Sequence, residues 1–562
     1  MNLKKQFPIL EQRAHGHPLV YLDNAATTQK PFPVIEAIDR FYREANANVH
    51  RASHYLSARS THAFEDAREE VKHFLNAASS DEIIWTRGAT EALNLVAQSW
   101  GRSQLQPGDE ILLSAMEHHA NIVPWQLVAE QTGAVIKVIS VTRQGELDSN
   151  SFREQLTDRT RILVITHVSN AIGTVNPLQT LIPEAKARGA LVLVDGAQAV
   201  AHSCIDVQKL NCDFYVFSGH KVFGPTGIGV LYGRKALLED MPPWQAGGEM
   251  IRKVSFSGTS FNDLPFKFEA GTPNVSGVIG LGEAIRFMRS LDMREVAEHE
   301  DRLRRKTEAG LRNIPGVTLV GEAREKVSVV SFVVEGFHNQ DIGLLLDQQG
   351  IAVRTGHHCT MPLMEHLGLS GTVRASFSLY NTLDDVDAFL LALTGIVNGE
   401  FDAVPQSKEV KADSAFFNQL EGEDAAEFTK NQIFQTITNA RSWQEKYLHI
   451  MTLGKKLPPL PETMRTEESR LHGCESTVWL HHFYDEQSMK LFFAADSDAR
   501  VIRGLIAIVI SVFNGCTPKD ISRFDIDGWF ASLDLYNHLS PSRGNGLRAI
   551  IEEIRSIAHR FE

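Results

Sequence analysis

At 562 residues the chain exceeds what one ordinary hydrophobic core organises, so two or more domains are expected. Its composition, 43% hydrophobic and 22% charged without repeats or low-complexity tracts, is that of a globular protein. The 56 basic against 69 acidic residues leave a net charge of −13, which argues against a general binder of nucleic acid or of anionic membranes.

The first residues carry two lysines but no apolar core of a signal peptide, and no Arg-rich, acid-poor leader follows. A cytoplasmic location is expected. The longest apolar run, residues 504–513, is too short to span a bilayer, has Arg503 at its edge and reads as a buried helix. Five cysteines in a chain of this length are no disulfide framework. Cys204 and Cys212 lie beside apolar stretches and read as core thiols, and Cys516 reads as a turn residue. Cys359 and Cys474 have polar, glycine- and histidine-containing surroundings. With no CxxC pair, no metal site is expected.

From residue 19 to about 233, short apolar runs alternate with amphipathic stretches. Residues 82–85 read as a strand, after which Gly88-Ala89-Thr90 turns into a helical pattern over 91–100. Residues 111–113, 136–141, 162–166 and 191–194 read as further buried strands. Strands rich in Val, Ile and Leu that alternate with helices predict an α/β domain with a mostly parallel sheet covered on both faces. In such sheets ligands bind at the carboxyl ends of the strands.

Several polar groups follow strands in this manner. Gly88-Ala89-Thr90 offers backbone N–H groups and a hydroxyl at a helix N-terminus, a seat for phosphate that an ordinary turn and cap would equally explain. Glu117-His118-His119-Ala120-Asn121, Asn170 and Asp195-Gly196-Ala197-Gln198 follow the runs that begin at 111, 162 and 191. An aspartate directly after a buried strand is costly unless paired, and a protonated cofactor ring nitrogen is a suitable partner. Ser218-Gly219-His220-Lys221 lies between the apolar run 212–217 and Gly224-Pro225-Thr226-Gly227. A lysine fixed between a strand and a tight turn is placed to condense with a cofactor aldehyde, although a bare His-Lys pair is more often a surface feature.

From about 281 the character changes. Residues 283–311 read as one charged helix, 317–320 and 327–334 as strands, 339–349 as a helix, 373–378 as a strand and 383–397 as a closing helix. This smaller α+β domain carries Arg354-Thr355-Gly356-His357-His358-Cys359. Residues 401–426 lack apolar periodicity and read as a linker, which as a flexible coil spans on the order of 25–30 Å. Beyond it, 433–453 reads as a helix, 477–482 and 489–494 as a strand pair, and 499–513 as a buried helix.

The motifs then combine. Tyr21-Leu22-Asp23-Asn24-Ala25-Ala26-Thr27-Thr28, Asp195-Gly196-Ala197-Gln198, Ser218-Gly219-His220-Lys221, Glu269-Ala270-Gly271-Thr272-Pro273-Asn274 and Arg354 to Cys359, in this order and spacing, resemble the fold-type I pyridoxal phosphate enzymes. More narrowly, residues 20–400 resemble the SufS/CsdA-type (group II) cysteine desulfurases. Trp443-Gln444-Glu445-Lys446-Tyr447, His472-Gly473-Cys474-Glu475-Ser476 with Val478-Trp479, and Leu539-Ser540-Pro541-Ser542-Arg543 are similar to the SufE/CsdE sulfur acceptors. The resemblance implies a desulfurase over 1–400 and an α+β acceptor domain over 427–562. Within the desulfurase it implies a large domain of about 20–280 on a mostly parallel seven-stranded sheet, and a small domain of about 281–400 joined by the N-terminal segment.

The same resemblance implies pyridoxal 5'-phosphate bound to Lys221, with Asp195 on the ring nitrogen, Gln198 on the ring phenolate and His118 stacked on the ring. Thr90, Ser218 and His220 would hold the phosphate, with Thr272 reaching it across a homodimer interface. Arg374 would clamp the carboxylate of L-cysteine, as suits a planar guanidinium, and Asn170 would support substrate or cofactor. Cys359 would take the substrate sulfur as a persulfide. At an ordinary thiol pKa only about 3% is thiolate at pH 7, a fraction that His357, His358 and Arg354 would raise where they touch it. Cys474 would accept the sulfur, with an iron–sulfur scaffold of the SufBCD kind downstream. Thr360 and Ala52 depart from the family's usual alanine and glycine without touching a catalytic role. A selenocysteine lyase on the same scaffold, or a C-terminal domain that only docks, are the alternatives. A plain aminotransferase would need no cysteine in the 354–359 loop.

Overall fold

The computed structural model describes residues 3–400, 430–440, 443–467, 469–471, 476–535, 539 and 541–562. The expected linker, 401–426, and Cys474 lie outside the described residues. The chain divides into two compact units, the first formed by residues up to Glu335 with Gly343–Asn398, the second by Gly336–Ile342 with the residues from Gly399 on.

In the first unit seven strands form one sheet. In chain order they are β1 (Ile83–Thr86), β2 (Glu110–Ser114), β3 (Val135–Ile139), β4 (Thr160–Thr166), β5 (Leu191–Asp195), β6 (Phe214–Ser218) and β7 (Gly229–Gly233). Across the sheet the order is β1-β7-β6-β5-β4-β2-β3. β2 to β6 pair in parallel, whereas β7 runs antiparallel to both β1 and β6, with Gly229 opposite Ser218. The sequence reading misses β7 because glycine occupies two of its five positions. Gly229 is required by crowding: a Cβ there would lie 2.5 Å from the Gly88 Cα.

Side chains alternate between the faces, as a pleated strand demands. Leu163 and Ile165 enter one core, with Phe64, Leu281 and Ile285 of the helices Tyr55–Leu75 and Val275–Arg289. Ile162 and Val164 enter the other, with Leu93 and Trp125 of the helices Ala89–Val96 and Val123–Thr132. The run read as one helix over 283–311 is two, Val275–Arg289 and Met293–Arg312. Asp292 separates them by capping the second, its side chain accepting from the Arg294 N–H at 2.9 Å. Cys212 is buried, as expected, and Cys204 is exposed instead.

A second, antiparallel sheet in the same unit has the order Val317–Val320, Val329–Val334, Thr372–Ser376, Arg354–Gly356. Its register sets Arg354 opposite Arg374. The N-terminal segment reaches this region through Val20–Tyr21, which pairs in parallel with Ile351–Ala352.

In the C-terminal unit, Arg470–Leu471, Val478–Asp485 and Lys490–Ser497 form a three-stranded antiparallel sheet. The helix expected over 433–453 is resolved as Lys430–Asn439 and Trp443–Lys456, and the buried helix as Arg500–Phe513. Gly504 lets the last two helices approach, since a Cβ there would lie 2.0 Å from the Ile450 carbonyl oxygen. Asp496 is fully buried, paired with Arg465 at 2.8 Å and Arg503 at 2.9 Å. Among the described residues no helix is long and apolar enough to cross a membrane.

Candidate active site

Strand register sets the site. Thr166, Asp195 and Ser218 end β4, β5 and β6, with Thr166 paired to Asp195. The turns beyond them enclose a cavity of about 400 Å³. Lys221, Asp195, Gln198, His118, Thr90, Ser218, His220 and Asn170 line it, and Arg374, Arg354 and Cys359 enter from the smaller sheet and its turn.

The lysine turn is fastened on both sides. The Thr27 and Thr28 hydroxyls donate to the His220 carbonyl at 3.0 and 3.2 Å. Ser218 Oγ accepts from the Ala89 N–H at 2.8 Å, which ties the end of β6 to the start of the helix Ala89–Val96. Burial pulls the Lys221 amine down to about 8, with Asp195 opposing. Burial likewise raises Asp195, against the Ala197 N–H at 3.0 Å and the Lys221 charge. Gln198 Nε2 donates to the Ala25 carbonyl at 2.6 Å.

His118 Nδ1 accepts from the Ala120 N–H at 3.0 Å, so the neutral ring carries its proton on Nε2. Burial first, and then the Lys221 charge, push it down to about 4. Beside it lies a group to which the sequence reading gives no role. Glu117 is fully buried; Oε1 accepts from Ser114 Oγ at 2.5 Å and the Thr166 N–H at 3.0 Å, and Oε2 from Asn121 Nδ2 at 2.6 Å. Burial pushes its pKa up to about 7. Its only sequence signal is an acidic residue just beyond a buried strand.

Asp23 is a second group left without a role by the sequence reading. Like charges directly across an antiparallel pair repel, and Arg354 faces Arg374. Asp23 sits between them, accepting from Arg374 Nη2 at 3.1 Å and Arg354 Nε at 3.2 Å. Arg374 is 2% exposed; burial lowers its pKa to about 10, with Asp23 opposing. Its Nη1 donates to the Asn170 carbonyl at 2.8 Å, and its buried Nε has no hydrogen-bond partner among the described residues. Asn170 Nδ2 in turn donates to the His358 carbonyl at 2.7 Å.

Cys359 is exposed, on a turn whose backbone is left-handed at His358 (φ 52°) and at Cys359 (φ 59°). Its N–H donates to His357 Nδ1 at 3.0 Å. The expectation that His358 would supply positive charge to the thiol is not met. His358 is buried, with Nε2 2.8 Å from Thr372 Oγ1, and burial drives its pKa well below the usual histidine range. It is neutral. Thr272 lies elsewhere, on a second cavity of about 400 Å³ with Trp85, Arg87 and Trp244. The segment carrying it is anchored by Glu269, which meets the buried Arg68 at 2.7 Å.

Residues 20–389 match the aminotransferase class-V family. A probable cysteine desulfurase of Vibrio cholerae is 54% identical over 391 residues, 70% of this chain and 96% of that relative. The chain belongs to the cysteine desulfurases. A cysteine desulfurase of Synechococcus elongatus is 49% identical over 397 residues, 71% of this chain, and the match spans 63% of that longer relative. The solved structure of the Escherichia coli cysteine desulfurase CsdA is 44% identical with a TM-score of 0.66, covering 70% of this chain and 98% of that one. Residues 431–558 match the SufE-type Fe-S metabolism associated domain. The chain is therefore a cysteine desulfurase fused to a SufE-like domain.

Class-V cysteine desulfurases depend on pyridoxal 5'-phosphate, and the chemistry of the cavity suits that group. It offers an amine of lowered pKa, a buried carboxylate for a protonated ring nitrogen, and hydroxyl and N–H donors at a helix start for a phosphate.

Proposed function

We propose that the desulfurase unit takes the sulfur of L-cysteine onto Cys359 and that the SufE-like domain receives it on Cys474 for iron–sulfur cluster assembly. The observation that supports this reading best is that Lys221, Asp195, Arg374 and Cys359, contributed from two sheets, line one cavity. Bound pyridoxal 5'-phosphate supplies the electron sink that lets the bond between Cβ and Sγ of the substrate break. In this reading Lys221 holds the cofactor, Asp195 its ring nitrogen and Gln198 its phenolate oxygen, and Thr90, Ser218 and His220 hold the phosphate. Thr272, absent from this cavity, belongs to the phosphate site of the second subunit in a homodimer.

Arg374 binds and orients the substrate carboxylate. Asn170 and Asp23 hold its two terminal nitrogens, which fixes the plane of the guanidinium that would receive the carboxylate. The Cys359 thiolate attacks the substrate Sγ. The new S–S bond forms as the Cβ–Sγ bond breaks, its electron pair passes to carbon, and a proton delivered to Cβ completes alanine. His118, neutral with Nε2 protonated, and Lys221 are the groups suited to moving that proton. The sum is L-cysteine and a thiol giving alanine and a persulfide. Transfer onward exchanges the outer sulfur of Cys359 for the proton of the Cys474 thiol. Tethering raises the acceptor's effective concentration to the order of millimolar. The reading includes a cytoplasmic location and a SufBCD-like scaffold as the final acceptor.

Persulfide trapping tests the reading. Wild-type, Cys359→Ser and Cys474→Ser proteins are incubated with L-cysteine, alkylated and digested for mass spectrometry. Added sulfur is expected on both cysteines of the wild type, on Cys359 alone in Cys474→Ser, and on neither in Cys359→Ser. Sulfur on Cys474 in the absence of Cys359 would sink it. A SufE-like domain that never carries sulfur in the wild type would reduce that domain to docking.

A further inference from the structure

The Cys359 turn has an unusual backbone. Two successive L-residues, His358 and Cys359, hold positive φ, a region that side-chain sterics disfavour. Such a turn needs ties to its surroundings to keep one geometry. Asn170 supplies one, to the His358 carbonyl at 2.7 Å. The next two both end on His119, a residue to which the reaction scheme above gives no part. The His119 N–H donates to the Cys359 carbonyl at 2.8 Å. Its ring Nε2 accepts from the Met361 N–H at 3.0 Å. One residue thus fastens the chain at Cys359 and just beyond it, while Asn170 holds the residue before.

We infer that His119 is the positioning residue that holds the Cys359 turn against the cofactor-facing turn, and so sets where the thiol stands. The inference rests on the reading of Cys359 as the sulfur acceptor. Its neighbour His118 lines the cavity, so one short turn, His119–Asn121 with its cap His118, addresses the cavity with one histidine and the thiol with the next. Accepting the Met361 N–H requires a neutral ring with the proton on Nδ1. Burial, and then the His357 ring with its centroid 5.5 Å away, lower the His119 pKa and keep it neutral.

The test compares full-length, cofactor-loaded wild-type, His119→Ala and His119→Gln proteins. Hydrogen exchange is read at the Met361 amide, and kcat and KM are read for alanine release. Removing the ring acceptor leaves that amide without its partner, so exchange is expected to accelerate on the order of five- to tenfold in His119→Ala. In the same variant kcat falls while KM for L-cysteine stays within about twofold, because the turn and not the carboxylate clamp is released. Gln presents an amide oxygen at a reach similar to Nε2 and is expected to restore both quantities. Unchanged exchange in His119→Ala overturns the inference, as does a Gln variant no better than Ala, or faster exchange with kcat unchanged. The exchange readout needs no turnover, so loss of protection without sulfur on Cys359 in the wild type would leave the tether standing and remove the assigned role of the thiol.

Discussion

Exchanging Glu269 for Gln probes how the segment carrying Thr272 is held. The Arg68 and Glu269 side chains are 1% and 7% exposed, and Arg68 donates to Glu269 at 2.7 and 3.0 Å. Glu269 Oε1 also accepts from the Trp85 N–H at 2.8 Å. Gln keeps the shape but removes the charge, leaving a buried guanidinium facing Glu65 alone, at 2.9 Å and 37% exposed. Removing one partner of a buried pair costs about 3–5 kcal/mol, and because Glu65 retains part of the compensation the lower end, about 3 kcal/mol, is expected. With an unfolding entropy near 2.1 cal/mol/K per residue over roughly 390 residues, this lowers Tm of the larger unit by about 4 °C. Scanning calorimetry of the wild type, Glu269→Gln, Arg68→Met and the double variant supplies the assay. The double variant removes both charges, so it is expected to be at least about 1 kcal/mol more stable than additivity gives. A single-variant loss below about 1 kcal/mol, or an additive cycle, would refute the reasoning.

Two further outcomes are expected. Arg374→Lys keeps a charge but loses the planar fork, so KM for L-cysteine should rise about ten- to a hundredfold with the cofactor's visible absorbance retained; an unchanged KM rules out the clamp. The Lys221 amine is held near 8 in the folded protein against 10.5 when free. Without cofactor, the unfolded chain therefore binds more protons than the folded one between these values, and wild-type stability rises with pH across that window. Lys221→Met should be more stable than the wild type at pH 7, with the difference fading towards pH 10.5 in denaturant titrations. A difference that does not change with pH rejects burial of the amine as its cause.

What was legible in the sequence was whatever depends on runs and short motifs. The parallel strands announced themselves as apolar runs, and Asp195, Ser218 and Lys221 could be assigned to their carboxyl ends because a strand and its following turn are neighbours in the chain. The carry-over of Arg374 and Cys359 to the same cavity rested on family likeness, since nothing local connects residue 195 with residue 374. Groups that act through long-range register were invisible. Asp23 matters because Arg354 and Arg374 fall opposite one another, a fact of pairing rather than of spacing. Arg68 reads as one more charge on a helix until Glu269 arrives from 201 positions away. His358 was left conditional on contact for a related reason: adjacency to Cys359 in sequence says nothing about a ring that turns inward towards Thr372.

The antiparallel course of β7 has a mechanical consequence. Because Gly229 pairs directly with Ser218, the chain that leaves the sheet at Ser218 must return to the same rung eleven positions later. The amine therefore stands on a closed bracket clamped at both feet. The exposed thiol stands on a turn held instead by hydrogen bonds that end on the side chains of Asn170 and His119. The two groups thus meet at one cavity on mountings of different kind, the amine on the backbone ladder of the sheet and the thiol on a turn tied by side chains. Lengthening the bracket would spoil the first without helping the second.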